Sequence, residues 1–135
     1  MLIGTYKIPL VFMVTHAFLA ATWNVAGVWL MSHGQSPLGP TASLTGVAVL
    51  AVLILIYIYT LKKGYEKTFL LMALIGALVG AMTIYGALTK EHNLWPSEFW
   101  RFAGIAVNSL SVIGFTLTLK QFFTKKYTTS KRNKK

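Results

Sequence analysis

Four apolar blocks, residues 8–31, 43–61, 68–88 and 99–119, constrain this chain more than any other feature. Each is close to the roughly 20 residues a helix needs to cross a hydrocarbon layer about 30 Å thick. None contains an aspartate or a glutamate. The bilayer core has no water to satisfy backbone amides, so a spanning segment must bond internally, as a helix does. The blocks use most of the 135 residues and leave no room for a soluble domain. The expected fold is all-α: a polytopic membrane protein forming one four-helix transmembrane bundle over residues 1–124. A basic tail from 125 to 135 follows it.

Composition agrees with this fold class. Only 12% of residues are charged, about half the usual share of a soluble domain, and the mean hydropathy is +0.59. Cysteine is absent, which excludes disulfides, thiolate nucleophiles, Cys-ligated zinc and iron–sulfur clusters. Lys7 followed by apolar residues and "AFLAAT" loosely imitates a secretory leader. The apolar run nevertheless continues to Met31, long enough to span, so a first transmembrane helix is expected instead of a cleaved leader.

Charge sets the orientation. With four spans, 11 of the 13 basic residues fall on the side of the termini, together with Glu66. Lys90 and Arg101 fall on the other side, matched by Glu91 and Glu98. The division is +10 against 0, and basic loops stay inside, so both termini are expected in the cytoplasm, at a bacterial or archaeal cytoplasmic membrane. Lys62, Lys63, Lys67, Lys125, Lys126, Lys131 and Arg132 are read as topology determinants that meet anionic lipid headgroups. No nucleic-acid-binding motif accompanies the basic tail, so no nucleic-acid partner is expected. Trp29, Trp95 and Trp100 are expected at the outer interface, and Tyr6, Tyr57, Tyr59 and Tyr65 at the inner one. Trp23 lies outside this pattern, near the bilayer centre.

The spans differ in character. The second is bulky and aliphatic, and should mainly face lipid. The third carries Ala73, Gly76, Gly80, Thr83 and Ala87 at intervals of three or four, a small-residue stripe that permits close helix approach. In the fourth, Arg101, Gly104, Asn108, Ser111, Phe115 and Thr118 share one face, which should turn inward or toward another subunit. Pro96, Ser97 and Glu98 suit the start of that helix, with Ser97 as a candidate N-cap. On the first helix, His16, Ala20, Trp23 and Gly27 share a face, with Asn24 beside it. Asn24 and Asn108 lie at similar depth and are expected to pair.

His16 admits several roles. The main expectation is a neutral ring bonded to a helix carbonyl or a threonine. Haem ligation would need a second histidine at suitable depth, and His33 and His92 lie in loops. A proton relay would need a second ionisable group within a span. His33, Glu91, His92 and Glu98 have ligand chemistry but no metal-site spacing. No metal and no cofactor are expected.

Known families of this size offer little. Small multidrug transporters depend on a carboxylate in the first helix, which this chain lacks. The stretch "RFAGIAVNS" shares residue types with the opening of GtrA-type flippases of lipid-linked sugars, at another spacing and in the last span instead of the first. Fluoride channels have Gly-rich and Phe-rich segments without counterparts here. No family is assigned on these residues.

No carboxylate pair, nucleophile–base constellation or phosphate-cradling glycine loop is present, so no enzyme is expected. The leading expectation is a non-catalytic accessory or structural subunit, docking on other membrane subunits. The docking contacts would be His16, Asn24, Thr83, Asn108 and Ser111, with close packing at Gly76, Gly80 and Gly104. The alternative is a small self-associating transporter or pore for a neutral, hydrophobic or lipid-linked solute, with the same polar residues along the pathway.

Overall fold

The computed structural model describes residues 2–132, and side chains as far as residue 127. The side chains of Lys131 and Arg132, and residues 133–135 of the expected tail, lie outside the described residues. Four α-helices follow one another: α1 (Lys7–Ser32), α2 (Leu44–Lys63), α3 (Glu66–Thr89) and α4 (Glu98–Arg132), with a short 3₁₀ turn at His92–Leu94. All four α-helices are long and apolar enough to cross a membrane. The fold class expected from the apolar blocks is the one observed.

Local chemistry sets the helix ends. Ser43 caps α2, its Oγ accepting the Gly46 N–H at 3.0 Å, as short polar side chains do at N-caps. Gly64, at φ 79°, ends α2 in the left-handed region that only glycine enters freely. Glu66 and Glu98 occupy the first turns of α3 and α4, where a negative charge meets the positive helix end. Before α4, the Ser97 carbonyl accepts the Arg101 N–H at 3.2 Å. α4 runs well past the expected end at residue 119. No glycine or proline interrupts residues 120–132, so nothing local stops the helix. Lys125 Nζ also donates to both Glu66 carboxylate oxygens, at 3.1 and 3.2 Å.

That ion pair and the Leu2 N–H to Leu61 carbonyl bond at 3.0 Å bring the residues before α1 and the last turns of α4 to the same end of the bundle, at the α2–α3 turn. Here the core is dense. Tyr6, Met13, Tyr57, Leu61, Phe69 and Ala73 are fully buried against one another. Tyr6 and Tyr57, two of the tyrosines expected at the inner interface, are turned into the bundle and fully buried. Both rings stand edge-on to Phe69, at centroid distances of 5.6 and 5.8 Å, and the Tyr6 hydroxyl donates to Glu66 Oε1 at 2.5 Å. A buried tyrosine usually finds a partner for its hydroxyl, as Tyr6 does here. Tyr59 and Tyr65 stay exposed. Among the tryptophans expected at the other interface, Trp29 is exposed but Trp95 is buried.

The stripe on α3 makes the tightest seam. A side chain at Gly80 would collide with Ser111 Oγ and stand 2.9 Å from the Asn108 carbonyl of α4. One at Gly76 would meet the Tyr57 hydroxyl at 2.7 Å. Ala73 and Ala87 are buried on the same stripe, whereas Thr83 is exposed and donates to its own helix at Val79. α2 packs mainly through Tyr57, Thr60 and Leu61, its only buried residues. Its other half is held loosely, and α2 and α3 make the sparsest of the major helix contacts. The bundle is tight at the end holding the α2–α3 turn and open at the other.

Candidate functional site

The open half contains a cleft of about 510 Å³, within the range of small-molecule sites. All four helices and both far-side connections contribute. His16 and Asn108 lie at its inner end. Asn24 and Gly104 line its middle, Gly39, Lys90, Trp95 and Arg101 its far end, and Trp23 reaches from Gly104 to Gly39 with its indole nitrogen at the far end. Val49 and Leu50 of α2 face Val79, Met82 and Thr83 of α3 across the side. Val49, Val79 and Met82 are each more than half exposed, so the cleft opens sideways between α2 and α3, at the level of the apolar blocks.

The two intramembrane amides do not pair as expected; each has a separate role. Asn24 Nδ2 donates to the Ala20 carbonyl at 2.8 Å, and its Oδ1 accepts the Ser43 N–H at 2.9 Å. Asn24 thus ties α1 to the residue that caps α2, holding that loosely packed helix at its start. Asn108 Nδ2 donates to the Gly104 carbonyl at 2.8 Å, which leaves Oδ1 to face His16 Nε2 at 3.4 Å. The partner of His16 is therefore this amide across the α1–α4 interface, not a helix carbonyl or a threonine. The amide oxygen only accepts, so Nε2 carries the proton, and Nδ1, buried in the bundle, has no partner among the described residues.

The far end is organised by Arg101, a buried side chain. Nη2 donates to Glu98 Oε2 at 2.5 Å, Nη1 meets His92 Nε2 at 2.9 Å, and Glu98 Oε1 meets His92 Nδ1 at 2.6 Å. A guanidinium only donates, so His92 Nε2 accepts and its Nδ1–H points to Glu98. Arg101 Nε is buried without a partner among the described residues. Beside it, the indole nitrogens of Trp23 and Trp95 converge on Gly39, 3.2 and 3.7 Å from where a Cβ would lie. Trp23 is braced edge-on by Trp100 at 5.6 Å.

The other residues singled out in the sequence fall in three places. Gly76 and Gly80 sit at close helix approaches, while Gly104 faces the cleft, with ordinary room for a methyl group against Trp23 at 3.6 Å. Ser111 is buried and bonded to the Asn108 carbonyl at 2.7 Å; it packs the seam and does not line the cleft. Thr83 lines the side opening. His33 bonds the Trp29 carbonyl at 2.8 Å, away from Glu98 and His92, and no cluster suited to a metal occurs among the described residues. Lys62, Lys63, Lys67, Lys125 and Lys126 are all exposed. Sequence reasoning missed Lys90, Trp95 and the Gly39 loop as cleft residues. Arg101 within an apolar block and Trp23 away from either interface were the available signals.

The chain matches no protein-family model, no curated protein and no solved structure.

Proposed function

We propose that this protein binds an amphiphilic molecule in the cleft and handles it within the membrane, as a carrier or transporter, without catalysing its conversion. The observation that carries the reading is the side opening between α2 and α3. It joins a largely apolar cleft that carries His16, Asn24, Asn108 and Arg101 to the hydrocarbon layer, a path for a molecule with an apolar tail and a polar head. The cleft walls offer hydrogen-bonding groups but neither a carboxylate nor a nucleophile–base pair, which favours binding over chemistry. In this reading the termini are cytoplasmic and the cleft lies in the outer half of the bilayer.

Docking onto other subunits as an accessory protein is the weaker reading. Its premise is that the small and polar faces exceed what four helices can cover among themselves. Gly76, Gly80, Ser111 and Thr118 are all buried within the single chain, so that surplus is small.

Reconstitution of the pure protein into liposomes tests the choice. A fluorescent long-chain lipid should exchange between leaflets faster than in protein-free vesicles, and Thr83→Trp, which plugs the side opening, should abolish the gain. Equal exchange in protein-free, wild-type and Thr83→Trp vesicles would count against the proposal.

A further inference from the structure

Trp23, Lys90, Trp95 and Arg101 give the far end of the cleft two cations and two indole N–H donors, and no lining residue is acidic. Glu91 and Glu98, which balance the two charges overall, lie outside the lining. The indole nitrogens converge beside Gly39 and donate to no described acceptor. Arg101 is 8% exposed with Nε unpartnered among the described residues, and Glu98 and His92 fix the orientation of its guanidinium. A buried donor left unmade is costly, and such groups call for an explanation beyond packing.

We infer that this end of the cleft holds the phosphate-bearing, net-anionic headgroup of a membrane lipid, whose chains leave between α2 and α3. The inference rests on the cleft's being a binding site for an amphiphile. Charge complementarity selects an anion: Lys90 lines the cleft with no acidic residue in the lining, and Arg101, whose Nη groups are held by Glu98 and His92, keeps Nε without a partner among the described residues. Charge-assisted hydrogen bonds are the strong ones. A tetrahedral phosphate is favoured over a carboxylate by the direction of the donors. They arrive from α1, from the end of α3, from the connection before α4 and from α4 itself. Several phosphate oxygens can meet them separately, whereas a carboxylate has two oxygens in one plane. The apolar, exposed flank of Val49, Val79 and Met82 takes the chains, which a free phosphate would leave unused.

Native mass spectrometry of the whole protein in a neutral detergent tests this, with phosphatidylglycerol, diacylglycerol and oleate of matched chains, and inorganic phosphate as competitor. Phosphatidylglycerol should be retained roughly tenfold better than diacylglycerol, the scale of one charge-assisted hydrogen bond. Lys90→Gln, at an exposed position, and Arg101→Gln should each erase most of that preference, and Ile113→Leu should leave it intact. Thr83→Trp should lower retention of all the lipids. Equal retention of diacylglycerol or oleate, still blocked by Thr83→Trp, would overturn the headgroup assignment and leave the amphiphile reading standing. Displacement by inorganic phosphate alone would make the site one for a soluble anion. No lipid retained above the Thr83→Trp level would sink both readings.

Discussion

At His16 a polar ring inside an apolar helix is held by one amide, Asn108, which in turn bonds its own helix at Gly104. The cross-helix contact is long, so its worth lies toward the lower end of the roughly 0.6–2 kcal/mol of such pairs in membranes. Asn108→Leu should lower unfolding free energy in mild detergent by about 0.5–2 kcal/mol, while Ile113→Leu, off that face, should do little. Equal losses would show that the face has no special part. Tyr6, just outside α1, gives a pH signature. Burial first, then the hydrogen bond and the charge of Glu66, raise its phenol above the ordinary value of 10.0. The native state therefore holds the proton more tightly than the unfolded chain. The stabilisation is fully present below pH 10.0 and is lost as pH climbs beyond it. Alkaline unfolding of Tyr6→Phe should begin from lower stability at neutral pH and fall less steeply above pH 10.0. Parallel wild-type and variant curves would exclude this coupling.

Among the elements, α3 and α4 form the rigid half of the bundle, because glycine at position 80 lets the two backbones meet. Gly80→Val should be destabilising by roughly 1–3 kcal/mol, the usual cost of overpacking, since Ser111 and the Asn108 backbone stand in its way. Gly86→Ala on the same helix meets only the end of Lys90 at 3.8 Å and should leave thermal stability nearly unchanged. A similar drop for both would mean that glycine content matters, not contact. α2 has the opposite character, anchored at one end by Tyr57 and Leu61 and at the other by Ser43 and Asn24. Asn24→Leu removes the second anchor. It should increase hydrogen exchange at the start of α2 while leaving the core around Tyr57 protected; uniform exchange along α2 would contradict a two-point attachment.

For the whole molecule, the dense end holds the start of α1, the end of α4 and most of the described basic side chains, and the open end holds the cleft. By the positive-inside rule this charge division is expected to keep the termini in the cytoplasm. Single cysteines at Thr5 and Ser36, both exposed, should therefore react from opposite sides of the membrane with an impermeant thiol reagent, Ser36→Cys from outside intact cells. Labelling of Thr5→Cys from outside would reverse the cleft's side and the proposed leaflet with it.

The number of helices, their positions and the small stripe on α3 were legible in the chain itself. Backbone satisfaction in hydrocarbon and the 3.6-residue period act locally, so a single strand of sequence carries them. The extension of α4 to Arg132 was legible in principle, through the absence of any breaker, but apolarity ends earlier and hides it. Which polar group meets which was a matter for the tertiary structure alone. Equal depth made Asn24 and Asn108 look like partners, yet depth leaves the rotation of each helix undetermined, and rotation turned Asn24 to Ser43 and Asn108 to His16. The cleft arises the same way. α2 is apolar along its whole length, and only its few contacts with α3 beyond Tyr57 decide that one half packs and the other opens. Burial of Tyr6, Tyr57 and Trp95 likewise depends on cavities formed between helices, and no helix carries those in its own residues.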